Sequence, residues 1–163
     1  MAVLFAVIAA IVPATLAAES VGEDIRLDEA GRQIIFANSA LELAIDGQTG
    51  HWAHLRDIKT DTLLFEAEGP WCSFDVRQDG KWVCGDAPGE WQYAGKRLER
   101  DGDAIVLWVM REGSEWGASV SYKLWPKEAV IARSLRLTAL GDTEAIARQV
   151  RLSVGNVAFG TAA

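Results

Sequence analysis

Residues Asn38–Phe65, NSALELAIDGQTGHWAHLRDIKTDTLLF, constrain the fold of this chain more than any other stretch. Leu41, Leu43 and Ile45 alternate with Glu42, Ala44 and Asp46, the period-2 pattern of a strand with one buried face. Asp46-Gly47-Gln48-Thr49-Gly50 then supplies residues that tolerate turn and left-handed geometry, which predicts a reversal into a strand over 51–57. Lys59-Thr60-Asp61 predicts a second reversal into a strand over 62–66. Such a meander sets up a sheet, and the rest of the chain also reads as strands.

Gln33–Asn38 (QIIFAN) is the first convincing strand. Beyond the meander, CSFDVRQDGKWVC over 72–84 reads as a hairpin on Asp79-Gly80, the strongest short-range turn signal in the chain. With a two-residue turn there, Cys84 faces Asp75 and Cys72 faces Ala87. Gly85-Asp86-Ala87-Pro88-Gly89 is a loop dense in turn formers, and Trp91–Glu99 follows as a strand. Ala104–Met110 (AIVLWVM) is apolar on both faces, as in a central strand covered on both sides. In 118–125, Ala118, Val120, Tyr122 and Leu124 point one way, with Ser119, Ser121 and Lys123 opposite; further strands are expected over 130–140 and 146–154. A helical period is absent outside the first eighteen residues, apart from a short candidate at 128–134. About eleven strands with turn signals at short intervals make the expected fold all-β, an antiparallel β-sandwich. The 163 residues, 50% hydrophobic, suffice for one domain with a sizeable core. The sequence stops just after an expected strand, so the sandwich reads as incomplete at its C-terminus and the chain as the front part of a longer protein.

Residues 1–18, MAVLFAVIAAIVPATLAA, are apolar without a charged side chain and end in small residues. They read as a secretory signal peptide, with an uncleaved anchor as the alternative because no basic residue precedes the apolar run. The expected organisation is then a signal peptide at 1–18, a polar leader at 19–32 with at most a short strand at 24–28, and the sandwich at 33–163, secreted or periplasmic and with no membrane contact after cleavage. Two cysteines, Cys72 and Cys84, suit an oxidising compartment. Paired, they would contribute about 3 kcal/mol by closing a short loop; unpaired, they are two buried thiols in separate strands. A formal charge of −7 argues against nucleic acid, whose phosphates call for clustered Lys and Arg.

The layout of 38–65, "strand, D-x-x-T-G, strand ending in L-R-D, strand with L-L-F", resembles the first meander of galactose-mutarotase-like supersandwich domains. Ser119–Ala139 (SVSYKLWPKEAVIARSLRLTA), Gly141-Asp142-Thr143-Glu144 and the strand that follows resemble the later part of the same domain. The resemblance covers most of Gln33–Val154 and rests on turn chemistry and alternation. It implies a supersandwich, such as stands at the amino end of secreted glycoside hydrolases. The implied partners are carbohydrate and a catalytic domain of the same polypeptide. A mutarotase needs a histidine acid well along the sandwich, whereas both histidines here, His51 and His54, lie in the first meander.

Few residues stand out as chemical candidates. His51 and His54, three apart on an expected strand, point to opposite faces and cannot share one metal there; no metal site and no cofactor is expected. Glycosidic cleavage needs two carboxyl groups across the bond, and no local motif selects a pair among the 23 acidic residues. Seven tryptophans are the remaining anomaly: indole faces stack on the flat apolar faces of sugars. Trp108 and Trp82 read as core. Trp71, Trp91 and Trp116, each at a strand end beside Gly, Pro or Glu, are the candidates for contacting sugar or a neighbouring catalytic domain. The expected function is an N-terminal accessory sandwich of an exported carbohydrate-active enzyme, not catalytic by itself; a free-standing carbohydrate-binding module is the alternative.

Overall fold

The computed structural model describes residues 19–66, 74–85, 87–141 and 146–148. Among them the chain forms thirteen strands and no helix, in three antiparallel sheets. The first sheet is a six-stranded meander of β1 (Glu19–Gly22), β2 (Ile25–Ala30), β3 (Gln33–Ala37), β4 (Leu41–Asp46), β5 (Trp52–Asp57) and β6 (Thr62–Glu66). The second holds β9 (Gln92–Asp101), β10 (Ala104–Glu112), β11 (Trp116–Leu124) and β12 (Ile131–Ala139), in the order β12-β11-β10-β9. A small third sheet joins β7 (Asp75–Gln78) and β8 (Lys81–Cys84) to β13 (Ala147–Arg148).

The six- and four-stranded sheets form a sandwich. Ile25, Leu27, Ile34, Phe36, Leu43 and Ile45 of the first face Ile105, Leu107, Val120, Tyr122 and Leu124 of the second in one buried cluster. Each such side chain contributes about 1.5–3 kcal/mol when fully withdrawn from water. Trp52 meets Phe65 edge-on, with centroids 5.6 Å apart, and leans on Tyr122 at 5.9 Å. The Tyr122 hydroxyl donates to the Gly50 carbonyl at 2.5 Å. Burial pushes that phenol far above its ordinary pKa, so it remains a neutral donor and ties the four-stranded sheet to the β4–β5 turn. A second, smaller cluster places Phe74 and Val76 against Trp116 and Ala118, with Trp91, Leu135 and Leu137 around it.

Several expectations are met by the register. Asp79 and Gly80 adopt φ of 47° and 73°, a two-residue hairpin turn that pairs Asp75 with Cys84 as read from the sequence. In β11, Ala118, Val120, Tyr122 and Leu124 are all buried. Other expectations are corrected. The leader at 19–32 supplies β1 and β2: Ile25 and Leu27 are buried, and their alternation with Asp24, Arg26 and Asp28 is that of a half-buried strand rather than of a polar tail. Trp82 is 43% exposed under the Arg148 guanidinium, 3.8 Å from its ring. Trp108 is half-buried on the outer face of β10, where it donates to Glu99 and lies between Arg97 and Arg136. That face of the central strand is covered by arginine side chains, whose long apolar stems shield it as a second layer would.

Successive turns of a meander alternate between the two ends of its sheet, so the β3–β4 and β4–β5 turns lie at opposite ends. At the first end, Asn38 is 4% exposed. Its amide nitrogen donates to the carbonyls of Trp125 (2.6 Å) and Glu128 (2.8 Å), and its amide oxygen accepts from the backbone of Ala40 and Leu41. Beside it, one carboxylate oxygen of Asp24 accepts from Ser39 N, Ser39 Oγ and Lys127 N. These contacts close one end of the sandwich with internal hydrogen bonds.

Candidate functional site

At the other end the β4–β5 turn is built by Asp46. Its Oδ1 accepts from the amides of Gln48 and Thr49, both at 2.9 Å, while Arg32 Nε sits 2.6 Å from its Oδ2. Burial pushes this carboxyl up, but the Thr49 and Gln48 amides and the Arg32 guanidinium outweigh it and leave the pKa below its ordinary value. Gly50 closes the turn at φ 69°, with Val109 and Val120 so near that a Cβ would crowd them.

Two β-bulges flank this end. Ile45 pairs with Trp52 and Ala44 with His54, leaving Ala53 as the extra residue on β5. On β9, Gly95 pairs with Met110 and Tyr93 with Arg111, leaving Ala94 extra. A one-residue slip moves a side chain to the other face of its sheet. Without the bulges, Arg111 would oppose Ala94 and Ile45 would oppose Ala53; with them, Tyr93 shares a face with Arg111, and Trp52 turns into the core. Gly95, at φ 127°, supplies a backbone conformation that a residue with a Cβ rarely adopts.

Trp91 is anchored between these elements. Its indole N–H donates to the Cys84 carbonyl at 3.0 Å, and its ring meets Phe74 edge-on at 5.3 Å. Arg111, 4% exposed, lies over the Trp91 ring with its guanidinium carbon 5.7 Å from the centroid, and donates to the Gly85 carbonyl at 2.7 Å. The result is a cleft of about 520 Å³ between the β4–β5 turn and the β8–β9 loop. Asp46, His51, Trp91, Tyr93, Arg32 and Arg111 line it, with Pro88 and Gly89 at its lip. Tyr93 is 47% exposed, Trp91 half-buried.

Of the three tryptophans singled out in the sequence, Trp91 lines this cleft. Trp116 does not: it is 6% exposed in the second cluster, its indole donating to the Arg77 carbonyl at 3.0 Å. Its ring faces the third sheet and is not available to a ligand. Trp71 lies outside the described residues, as does Cys72; Cys84 is disulfide-bonded. The signal stretch 1–18 and residues 149–163 are also outside them. His51 and His54 separate: His51 leaves the strand and lines the cleft, while His54 on β5 sits 3.6 Å from Glu42. Among the described residues no group of three or more His, Cys, Asp or Glu is placed to hold a metal.

Sequence reasoning missed Arg32, Tyr93, Arg111 and His51 as neighbours. One signal was present, the lone glycine at 95 inside a strand pattern, which marks a bulge. Chemically the cleft offers aromatic faces beside guanidinium donors. Asp46 is the one carboxylate among its described lining residues, so that described lining does not supply the two-acid arrangement of glycoside hydrolysis. No family model and no curated protein matches the chain.

Proposed function

We propose that this chain is an exported sandwich of the galactose-mutarotase-like supersandwich kind, the amino-terminal accessory domain of a glycoside-hydrolase-type enzyme, and that it contacts carbohydrate through the cleft beside the β4–β5 turn. The observation that carries the reading is the pairing of Trp91 and Tyr93 with guanidinium groups in one open cleft. Aromatic faces cover the apolar side of a sugar ring while fixed polar groups meet its oxygens. Trp91 is held by an indole hydrogen bond and an edge-on ring contact, so little conformational freedom is lost when a sugar settles on it. The domain would brace a catalytic domain of the same polypeptide and form one wall of its sugar cleft, with the catalytic carboxylates outside this chain.

Titration with a panel of oligosaccharides, followed by tryptophan fluorescence and calorimetry, tests this. At least one member should bind, and Tyr93→Ala should weaken that binding roughly five- to ten-fold, about 1–1.4 kcal/mol. Because Tyr93 is 47% exposed and outside both core clusters, folding stability should change by no more than about 0.5 kcal/mol. Absence of binding across the panel, or an unchanged affinity in the variant, would overturn the site.

A further inference from the structure

The cleft is unbalanced in a way that bears on which sugar it takes. Neutral sugars present hydroxyls, and their protein sites draw on acceptors, carboxylates above all, as well as donors. Here Asp46, the carboxylate in the described lining, is already engaged by two backbone amides and by Arg32. The strongest remaining polar groups are cationic. Arg32 meets Asp46 through its Nε, and its side chain is 59% exposed, so the outer edge of its guanidinium stays open to a ligand. Arg111, buried over the Trp91 ring and donating to the Gly85 carbonyl, adds positive charge beneath the cleft rather than a second open edge. A guanidinium edge matches the two oxygens of a carboxylate, and charge assistance makes such hydrogen bonds about twice as strong as neutral ones.

Resting on the carbohydrate reading above, we infer that the cleft selects acidic sugars, with the ring stacked at Trp91 and Tyr93 and its anionic substituent against Arg32. The anion is a uronate carboxylate or a sulfate ester, which share this chemistry. The overall charge of −7 makes the arrangement more telling. A protein that repels anions at long range binds one only where cations are placed locally, so the attraction is short-ranged and stereospecific.

The test is calorimetry of the chain with four probes: trigalacturonate, its fully methyl-esterified form, a sulfated disaccharide and neutral oligosaccharides of similar length. Trigalacturonate or the sulfated sugar should bind roughly ten-fold or more tightly than the uncharged probes, the loss expected when a charge-assisted hydrogen bond is removed. That preference should shrink as sodium chloride is raised. Arg32→Gln should erase the preference for the anionic probes over the uncharged ones. Whichever anionic probe binds tighter identifies the source of the charge. Equal affinity for trigalacturonate and its ester, with the sulfated sugar no tighter, overturns the inference but leaves the carbohydrate site standing. Binding of no probe overturns both. The ester comparison uses the unaltered chain, so it decides the matter even if Arg32→Gln disturbs the turn; a folded Arg32→Gln that keeps the full preference also overturns the inference.

Discussion

The two ends of the sandwich treat their polar groups in opposite ways. At the Asn38 end a buried amide makes four hydrogen bonds, all to backbone, and Asp24 adds three more, pinning the β1–β2, β3–β4 and β11–β12 turns together. At the Asp46 end the same residue chemistry shapes a single turn, but guanidinium groups and aromatic faces are left around an open cleft. A buried polar group with every partner in place stabilises a fold, while donors held in position and open to solvent are what a ligand meets. One end thus carries stability, and the other is where we propose recognition.

The comparison can be broken first at the Asn38 end. Asn38→Leu removes four hydrogen bonds and strands the carbonyls of Trp125 and Glu128 beside an apolar side chain. Urea denaturation should show a loss of about 3 kcal/mol or more, with sugar affinity of the folded fraction unchanged. A loss below about 1 kcal/mol would mean that this end does not carry the stability assigned to it.

A smaller effect is expected where the second cluster supports the cleft. A Cβ at Gly85 would collide with the Phe74 ring, and the carbonyl of Gly85 holds Arg111. Gly85→Ala should therefore cost about 1–3 kcal/mol by overpacking and also weaken sugar binding, because Phe74 and Arg111 both position Trp91. Weakened stability with unaltered binding would separate the cluster from the cleft.

The smallest effect is one of pH. The folded-state pKa of Asp46 lies below its ordinary value, so its contribution is fully present above the unfolded carboxylate pKa of about 3.9 and is lost as pH falls through the lower folded value. With the carboxyl partly exposed, the amount is about 1 kcal/mol or less. Asp46→Asn should flatten the acid limb of a stability profile by that amount and leave the profile unchanged near neutral pH apart from a constant offset.

How far the sequence reached depends on the range of the interactions involved. The β4–β5 turn and the hairpin on Asp79-Gly80 are decided by neighbours within a few residues, and alternation in 41–46 and 118–124 picks out the core face, so these were legible, although Ala44 and Ser121 on the opposite face are buried as well. The cleft was not, because it brings Arg32, His51 and Tyr93 together from three separate stretches, and each is unremarkable alone. Trp116 shows the same limit from the other side. A tryptophan beside Glu115 at a strand end reads as exposed, yet the third sheet covers it and takes its indole hydrogen bond. The leader misled because charge dominates 19–32, although Ile25 and Leu27 already carry the period of a strand.

Amide chemical-shift mapping during titration with the tightest-binding oligosaccharide tests the division between the two ends most directly. Shifts should concentrate in Asp46–Ala53, Ala87–Tyr93 and around Arg111, with Asn38, Ser39 and Trp125–Glu128 unmoved. Shifts centred on the Asn38 end, or spread evenly over both, would contradict the account.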